Sequence, residues 1–154
     1  MNFFSVLTRI KKYIRFRKLK SAGVIIGNGT FISPKAYIDC HKGSRVIIGS
    51  NCYITRNVII LNHTDTCRGG PEGIWEQKGA GRISKDVIIG NNVFIGVNSV
   101  VLPGVKIGDN AIIGALSLVN KDIPPNTVWG GVPVQYITET EKMIQKEYPS
   151  FSMR

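Results

Sequence analysis

The sequence predicts an all-β fold in which very short parallel strands wind into a three-faced coil, and three observations carry that prediction. First, β-branched residues recur every six positions: Ile83, Ile89, Ile95, Val101, Ile107, Ile113 and Val119 form one run, Ile26, Ile32 and Ile38 a second phase, and Ile48, Ile54 and Ile60 a third. Second, Gly90, Gly96, Gly108 and Gly114 follow those aliphatics, where a chain turning a tight corner gains from the missing Cβ. Third, neither an α-helix nor an alternating strand has a period of six, whereas a coil that presents one inward aliphatic per face does. Three faces give about 18 residues per turn, with turns about 4.8 Å apart, like neighbouring strands.

The composition suits one such domain. The chain has 154 residues, 43% of them hydrophobic and 19% charged, which is globular rather than disordered. No run of about 18 apolar residues is present to span a bilayer, and no apolar stretch leads to a small-residue cleavage site, which argues against secretion. Cys40, Cys52 and Cys67 are odd in number and lack CxxC spacing. They read as reduced cytoplasmic thiols, with no disulfide framework and no zinc ribbon.

The net charge of +10 belongs to an arm. Residues 1–45 hold ten Lys or Arg against Asp39 alone, while the remainder holds ten against nine acids and is nearly neutral. Residues 1–22 are therefore set apart as a basic amphipathic N-terminal arm. Within residues 3–20, Phe3, Val6, Leu7, Ile10, Tyr13 and Ile14 recur at helical spacing, with seven basic residues and no acid. Such a helix suits an anionic membrane surface, at about 1 kcal/mol per basic side chain near the lipid. It equally suits packing on the body or on a neighbouring subunit. The charge is confined to the arm, and no nucleic-acid partner is expected.

The coil itself is assigned to residues 23–137. Between Ile38 and Ile48 the register slips by four residues, which predicts a bulge or small loop at 42–47. If it is a bulge, Ile38 stacks beneath Ile60. Between Ile60 and Ile83 the sequence is polar, glycine-rich and aperiodic, predicting a projecting loop over 64–82 that leans toward a neighbour. Ile123-Pro124-Pro125 is expected to stop the repeat. Thr138 and Glu141 read as a capping box opening a helix over 139–147, within a C-terminal helix and tail assigned to 138–154.

Two histidines are present, His41 and His63, and His63 stands at the last regular hexad before the loop. The hexads, the segment IILNH ahead of a loop, and the run VIIGNNVFIGVNSVVLPGVKIGDNAIIGALSLVNKDIPPNTVWGGVPVQYI resemble the hexapeptide-repeat acyltransferases, chiefly sugar and polysaccharide O-acetyltransferases. The resemblance implies a left-handed parallel β-helix, against the usual hand of parallel crossovers. It further implies acetyl-CoA as co-substrate, no metal, and a homotrimer whose active sites lie between subunits.

The chemistry suits the residue type. A thioester is already activated, so the acceptor hydroxyl needs only a base, and a neutral imidazole near its ordinary pKa of about 6.5 can act as one at pH 7. By the resemblance, His63 is that base and Asp39 holds it or the acceptor hydroxyl, with a plain corner role for Asp39 an open alternative. His41 reads as a surface residue. Some relatives carry a second His two residues after the first; here that place is Asp65.

On the donor side, the resemblance points to Phe94, to the Val97 backbone as oxyanion donor, and to Ala115, Asn120 and Lys121. Lys121 is expected to meet a coenzyme phosphate, and Gln135 stands where many relatives carry a cation. Asp65, Trp75 and Glu76 on the loop are candidate acceptor contacts. The expected activity is transfer of an acetyl group from acetyl-CoA to a sugar hydroxyl, in surface polysaccharide or lipid-linked glycan synthesis, by a cytoplasmic protein peripheral to the membrane. The alternatives are a small-molecule O- or N-acetyltransferase of the amino-sugar or serine type, or a non-catalytic trimeric scaffold, which the repeat alone would permit.

Overall fold

The computed structural model describes residues 17–64 and 83–150. Strands of two to four residues stack in parallel into three sheets, as the period of six requires. The first sheet stacks Ile25–Ile26, Val46–Ile48, Val87–Ile89 and Lys106–Ile107. The second stacks Phe31–Ile32, Tyr53–Ile54, Phe94–Ile95, Ile112–Ile113 and Thr127–Gly130, with Gln135–Glu139 added antiparallel at the end. The third stacks Tyr37–Ile38, Ile59–Ile60, Val100–Val101 and Leu118–Val119. The chain visits the three sheets in turn, giving the left-handed parallel β-helix.

The core is a column of the hexad residues. Ile54, Ile60, Ile95, Val101, Ile113 and Val119 are completely buried, each stacked on its counterpart one turn away. Burying each such side chain contributes about 1.5–3 kcal/mol against the entropy of ordering the chain. Every hexad position is buried except Ile83, which is 46% exposed. Ile83 pairs antiparallel with Thr64 outside the coil, and the chain re-enters the prism only at Val87.

The corners explain a set of asparagines. Asn51, Asn57, Asn92, Asn98, Asn110 and Asn126 all hold φ of 56–60°, the left-handed region that Asn tolerates because its short amide bonds locally. Their amides stack into ladders: Asn57 Nδ2 donates to Asn98 Oδ1 at 3.0 Å, Asn92 to Asn110 at 2.9 Å, and Asn110 to Asn126 at 2.8 Å. Leu116 takes the same conformation at φ 56° without an amide to offer.

Three boundaries differ from expectation. Pro124 and Pro125 do not stop the coil: Ile123 is buried and bridges Ile107, and Thr127–Gly130 adds a further parallel rung. The second sheet then runs through Thr138 to Glu139, past the expected boundary at 137, because Gln135–Glu139 pairs back on Thr127–Gly130. That pairing holds Thr138 extended, so the capping box does not form. The helix spans Thr140–Glu147 and starts at Glu139 with no side-chain cap, while Thr140 Oγ1 donates to the Asn110 carbonyl at 2.9 Å.

Of the arm, residues 1–16 lie outside the described residues. Residues 17–21 are helical and end at Gly23, φ 92°, with Val24 N–H bonded to the Leu19 carbonyl and Gly23 N–H to the Lys20 carbonyl, a Schellman closure. Leu19 packs on the core, so this end of the arm docks on the body. Among the described residues, no helix is long and apolar enough to cross a membrane.

Candidate active site

Both breaks in the hexad register fall at one edge of the prism, between the third sheet and the first. Ile38 pairs with Ile60 and Val46 with Val87, so the slip after Ile38 is a bulge and the insertion after Ile60 leaves directly above it. Asp39 N–H still donates to the Ile60 carbonyl at 2.9 Å, the last regular rung. Beyond it, residues 40–44 leave the ladder, and so do residues 62–64 and 83–86 at the two roots of the insertion. This stacking brings Asp39 and His63 into contact, although 24 residues separate them.

The Asp39 carboxylate is buried, and the His63 side chain is 24% exposed. Asp39 Oδ2 meets His63 Nδ1 and also accepts the Asn62 N–H at 3.4 Å. A buried carboxylate needs such partners. With Asp39 ionised, His63 Nδ1 carries the proton and donates it, which leaves the lone pair on Nε2. The pair therefore sets the tautomer a general base needs.

His41 is not a plain surface residue. Its half-buried ring lies against that of His63, with centroids 4.4 Å apart and planes inclined by 35°. Sequence reading missed this because the two imidazoles meet only across turns of the coil. Asn62, completely buried beside His63, was also missed; a polar residue at the foot of an inserted loop is the only signal it leaves in the sequence. Cys40, between Asp39 and His41, has its thiol pushed above the ordinary value by burial and then by the Asp39 charge.

The loop roots are tied to each other. His63–Thr64 pairs antiparallel with Ile83–Ser84, Ser84 Oγ lies 2.7 Å from Ser44 Oγ, and Lys85 N–H donates to the Asn62 carbonyl at 3.0 Å. Asp65, Trp75 and Glu76, the expected acceptor contacts, lie outside the described residues.

The expected donor residues are not gathered at one place within the chain. Val97 and Ala115 stack at the edge between the second and third sheets, where the Leu116 N–H donates to the Val97 carbonyl at 2.9 Å. Gly96 permits that approach: a Cβ there would lie 2.4 Å from the Ala115 nitrogen. Phe94 stands on the outer face of the second sheet in a file of rings, 6.0 Å from Tyr53, which in turn is 4.7 Å from Phe31. Asn120 and Lys121 share the edge of His63, two turns further along. Lys121 sits over the Trp129 ring at 5.5 Å, so part of its charge is already engaged. Gln135 is exposed on the terminal strand. Among the described residues, no group of three or more His, Cys, Asp or Glu is placed to hold a metal ion.

The site is an imidazole held by a buried carboxylate at the root of an inserted loop on a parallel β-helix. Residues 86–121 match the family model described as bacterial transferase hexapeptide (six repeats). The chain is 37% identical over 136 residues to the galactoside O-acetyltransferase of Escherichia coli K12, covering 79% of this chain and 66% of that one. It is 44% identical over 148 residues to a chloramphenicol acetyltransferase of Agrobacterium fabrum, covering 79% and 69%. Among solved structures, a galactoside acetyltransferase in complex with coenzyme A superposes with a TM-score of 0.56 at 31% identity, covering 80% of this chain and 68% of that one. The polySia-specific acetyltransferase NeuO gives 0.63 at 33%, covering 76% and 52%. The protein belongs to the hexapeptide-repeat transferase family. It spans just under two thirds of the length of the E. coli galactoside O-acetyltransferase.

Proposed function

We propose that the protein is a coenzyme A-dependent O-acetyltransferase that moves an acetyl group from acetyl-CoA to a sugar hydroxyl, with His63 as general base. The observation that carries this reading is the buried Asp39 carboxylate on Nδ1 of the partly exposed His63. His63 Nε2 takes the acceptor hydroxyl proton as that oxygen bonds to the thioester carbon. Asp39 balances the imidazolium that forms. His63 then returns the proton to sulfur as the C–S bond breaks, so acetyl ester and free thiol are the products. A backbone N–H at Val97 is proposed to face the developing oxyanion.

The separation of Val97 and Ala115 from His63 supports a site completed by a second copy, hence a homotrimer with sites between subunits. Relatives named for galactosides and polysialic acid support a glycan acceptor, in surface polysaccharide or lipid-linked glycan synthesis. The arm, seven basic residues without an acid over 3–20, supports a cytoplasmic protein peripheral to the membrane. The similarity to a chloramphenicol acetyltransferase supports a second reading, a small hydroxylated acceptor.

The test is thiol release from acetyl-CoA with galactosides, oligosialic acid, lipid-linked glycans and chloramphenicol, wild type beside His63→Ala. Acceptor-dependent release that His63→Ala abolishes while still binding acetyl-CoA is expected. Release unchanged by the substitution would remove His63 from the reaction, and no binding of acetyl-CoA would overturn the assignment as a transferase.

A further inference from the structure

The bulge after Asp39 poses a problem of backbone chemistry. Residues 40–44 leave the parallel ladder, so their N–H and C=O groups lose the partners that a strand supplies. One side chain takes up three of these groups. Asn62 Oδ1 accepts the His41 N–H at 3.2 Å, and Asn62 Nδ2 donates to the His41 carbonyl at 3.2 Å and to the Ser44 carbonyl at 3.0 Å. From the other side, Ser44 Oγ donates to the Asn62 carbonyl at 2.9 Å. Both amide protons and the amide oxygen are engaged, so the side chain acts as a rung of β-ladder where the backbone has none.

This rung sits at the junction of the catalytic pair. Asn62 immediately precedes His63, its own N–H reaches Asp39 Oδ2, and the segment it clamps carries His41, whose ring lies on the face of His63. The base is thus held at Nδ1 by Asp39, on the last regular rung, and at its ring face by His41, on the segment that the Asn62 side chain ties to the strand of His63. We propose that Asn62 is a positioning residue for the general base, its side chain setting the orientation of the His63 ring through His41. Asparagine is suited to this because it alone offers an acceptor and two donors at this reach; aspartate would turn two donations into repulsion between its carboxylate and two carbonyls. The inference rests on the reading of His63 as base.

The test has a kinetic and a spectroscopic arm. Asn62→Ala is expected to lower kcat about 30-fold, the effect of a base displaced by a fraction of an ångström to one ångström, with KM for acetyl-CoA within about twofold. On a His41→Ala background the same substitution is expected to cost less than about threefold, because the ring it acts through is gone. Imidazole 15N spectra of the folded protein are expected to show His63 protonated at Nδ1 in the wild type, and a tautomer mixture in Asn62→Ala. Asn62→Ser, which brings no charge and keeps one polar group toward the bulge, serves where the alanine variant does not fold, with the same expectations. Equal kcat losses on both backgrounds, or an unchanged His63 15N pattern, would overturn the proposal. Absence of any acetyl transfer would defeat the functional reading alone, since the spectra still decide whether Asn62 sets the imidazole.

Discussion

Leu116→Asn is expected to raise the thermal stability of the protein by about 1 kcal/mol. Leu116 occupies the corner position that Asn57 and Asn98 hold in earlier turns, with φ of 56°, 58° and 59° respectively. The register is the same, since Asn98 N–H donates to the Arg56 carbonyl and Leu116 N–H to the Val97 carbonyl. A bulky residue in the left-handed region costs roughly 1–2 kcal/mol, much of which asparagine recovers. An amide at this corner also receives the Asn98 Nδ2, as Asn98 receives that of Asn57 at 3.0 Å, for about 0.5–1 kcal/mol at an exposed site. Against this stands lost apolar burial. The leucine is 64% exposed, so about a third of the usual 1.5–3 kcal/mol is forfeited. The balance is near +1 kcal/mol, or about 2–4 °C in Tm for a chain of this size. Calorimetry at matched protein concentration measures it, with Leu116→Ala as control: that variant loses the apolar contact without gaining the amide and should melt below Leu116→Asn. A Tm for Leu116→Asn at or below that of the wild type would show that packing at this corner outweighs the backbone strain, and would refute the argument.

Other outcomes follow from single contacts. Asp39→Asn keeps the shape but lets the amide present a proton to His63 Nδ1, favouring the wrong tautomer; kcat is expected to fall by about 10²–10⁴-fold in single-turnover assays, with acetyl-CoA binding retained. Gly96→Ala drives a Cβ to 2.4 Å from the Ala115 nitrogen and 2.7 Å from the Gly114 carbonyl carbon, backbone that cannot step aside. The expected destabilisation is at least about 2–3 kcal/mol in urea unfolding. Cys40, its thiol raised by burial and by the Asp39 charge, holds its proton at pH values where an ordinary cysteine has begun to ionise. Less thiolate at a given pH means that iodoacetamide should label Cys40 more slowly at pH 8.5 than it labels a free cysteine, the lag closing as pH rises beyond 9; peptide mapping reads the rates, and equal labelling at pH 8.5 would contradict the assigned environment.

The period of six determined the coil, because a repeating inward aliphatic is a local statement that survives without any knowledge of neighbours. Apart from Ile83, the hexad aliphatics from Ile26 to Val119 fall where the spacing puts them, and Ile38 lies beneath Ile60 as a bulge requires. Ile83 satisfied the period yet lies outside the core, since one aliphatic at the foot of a loop can join an antiparallel pair instead. The prolines after Ile123 and the Thr138–Glu141 pair carried ordinary local signals that pairing with the last rung overrode. At the site, the nearness of Asp39 to His63 was legible from their places in the repeat. His41 and Asn62 were not: which side chains meet across a corner depends on both register breaks falling at one edge, and that is a property of how successive turns stack. Sequence spacing determines which residues face inward on each turn. Only the tertiary structure decides which outward residues of different turns share an edge, because hydrogen bonds between turns, not along the chain, bring them together.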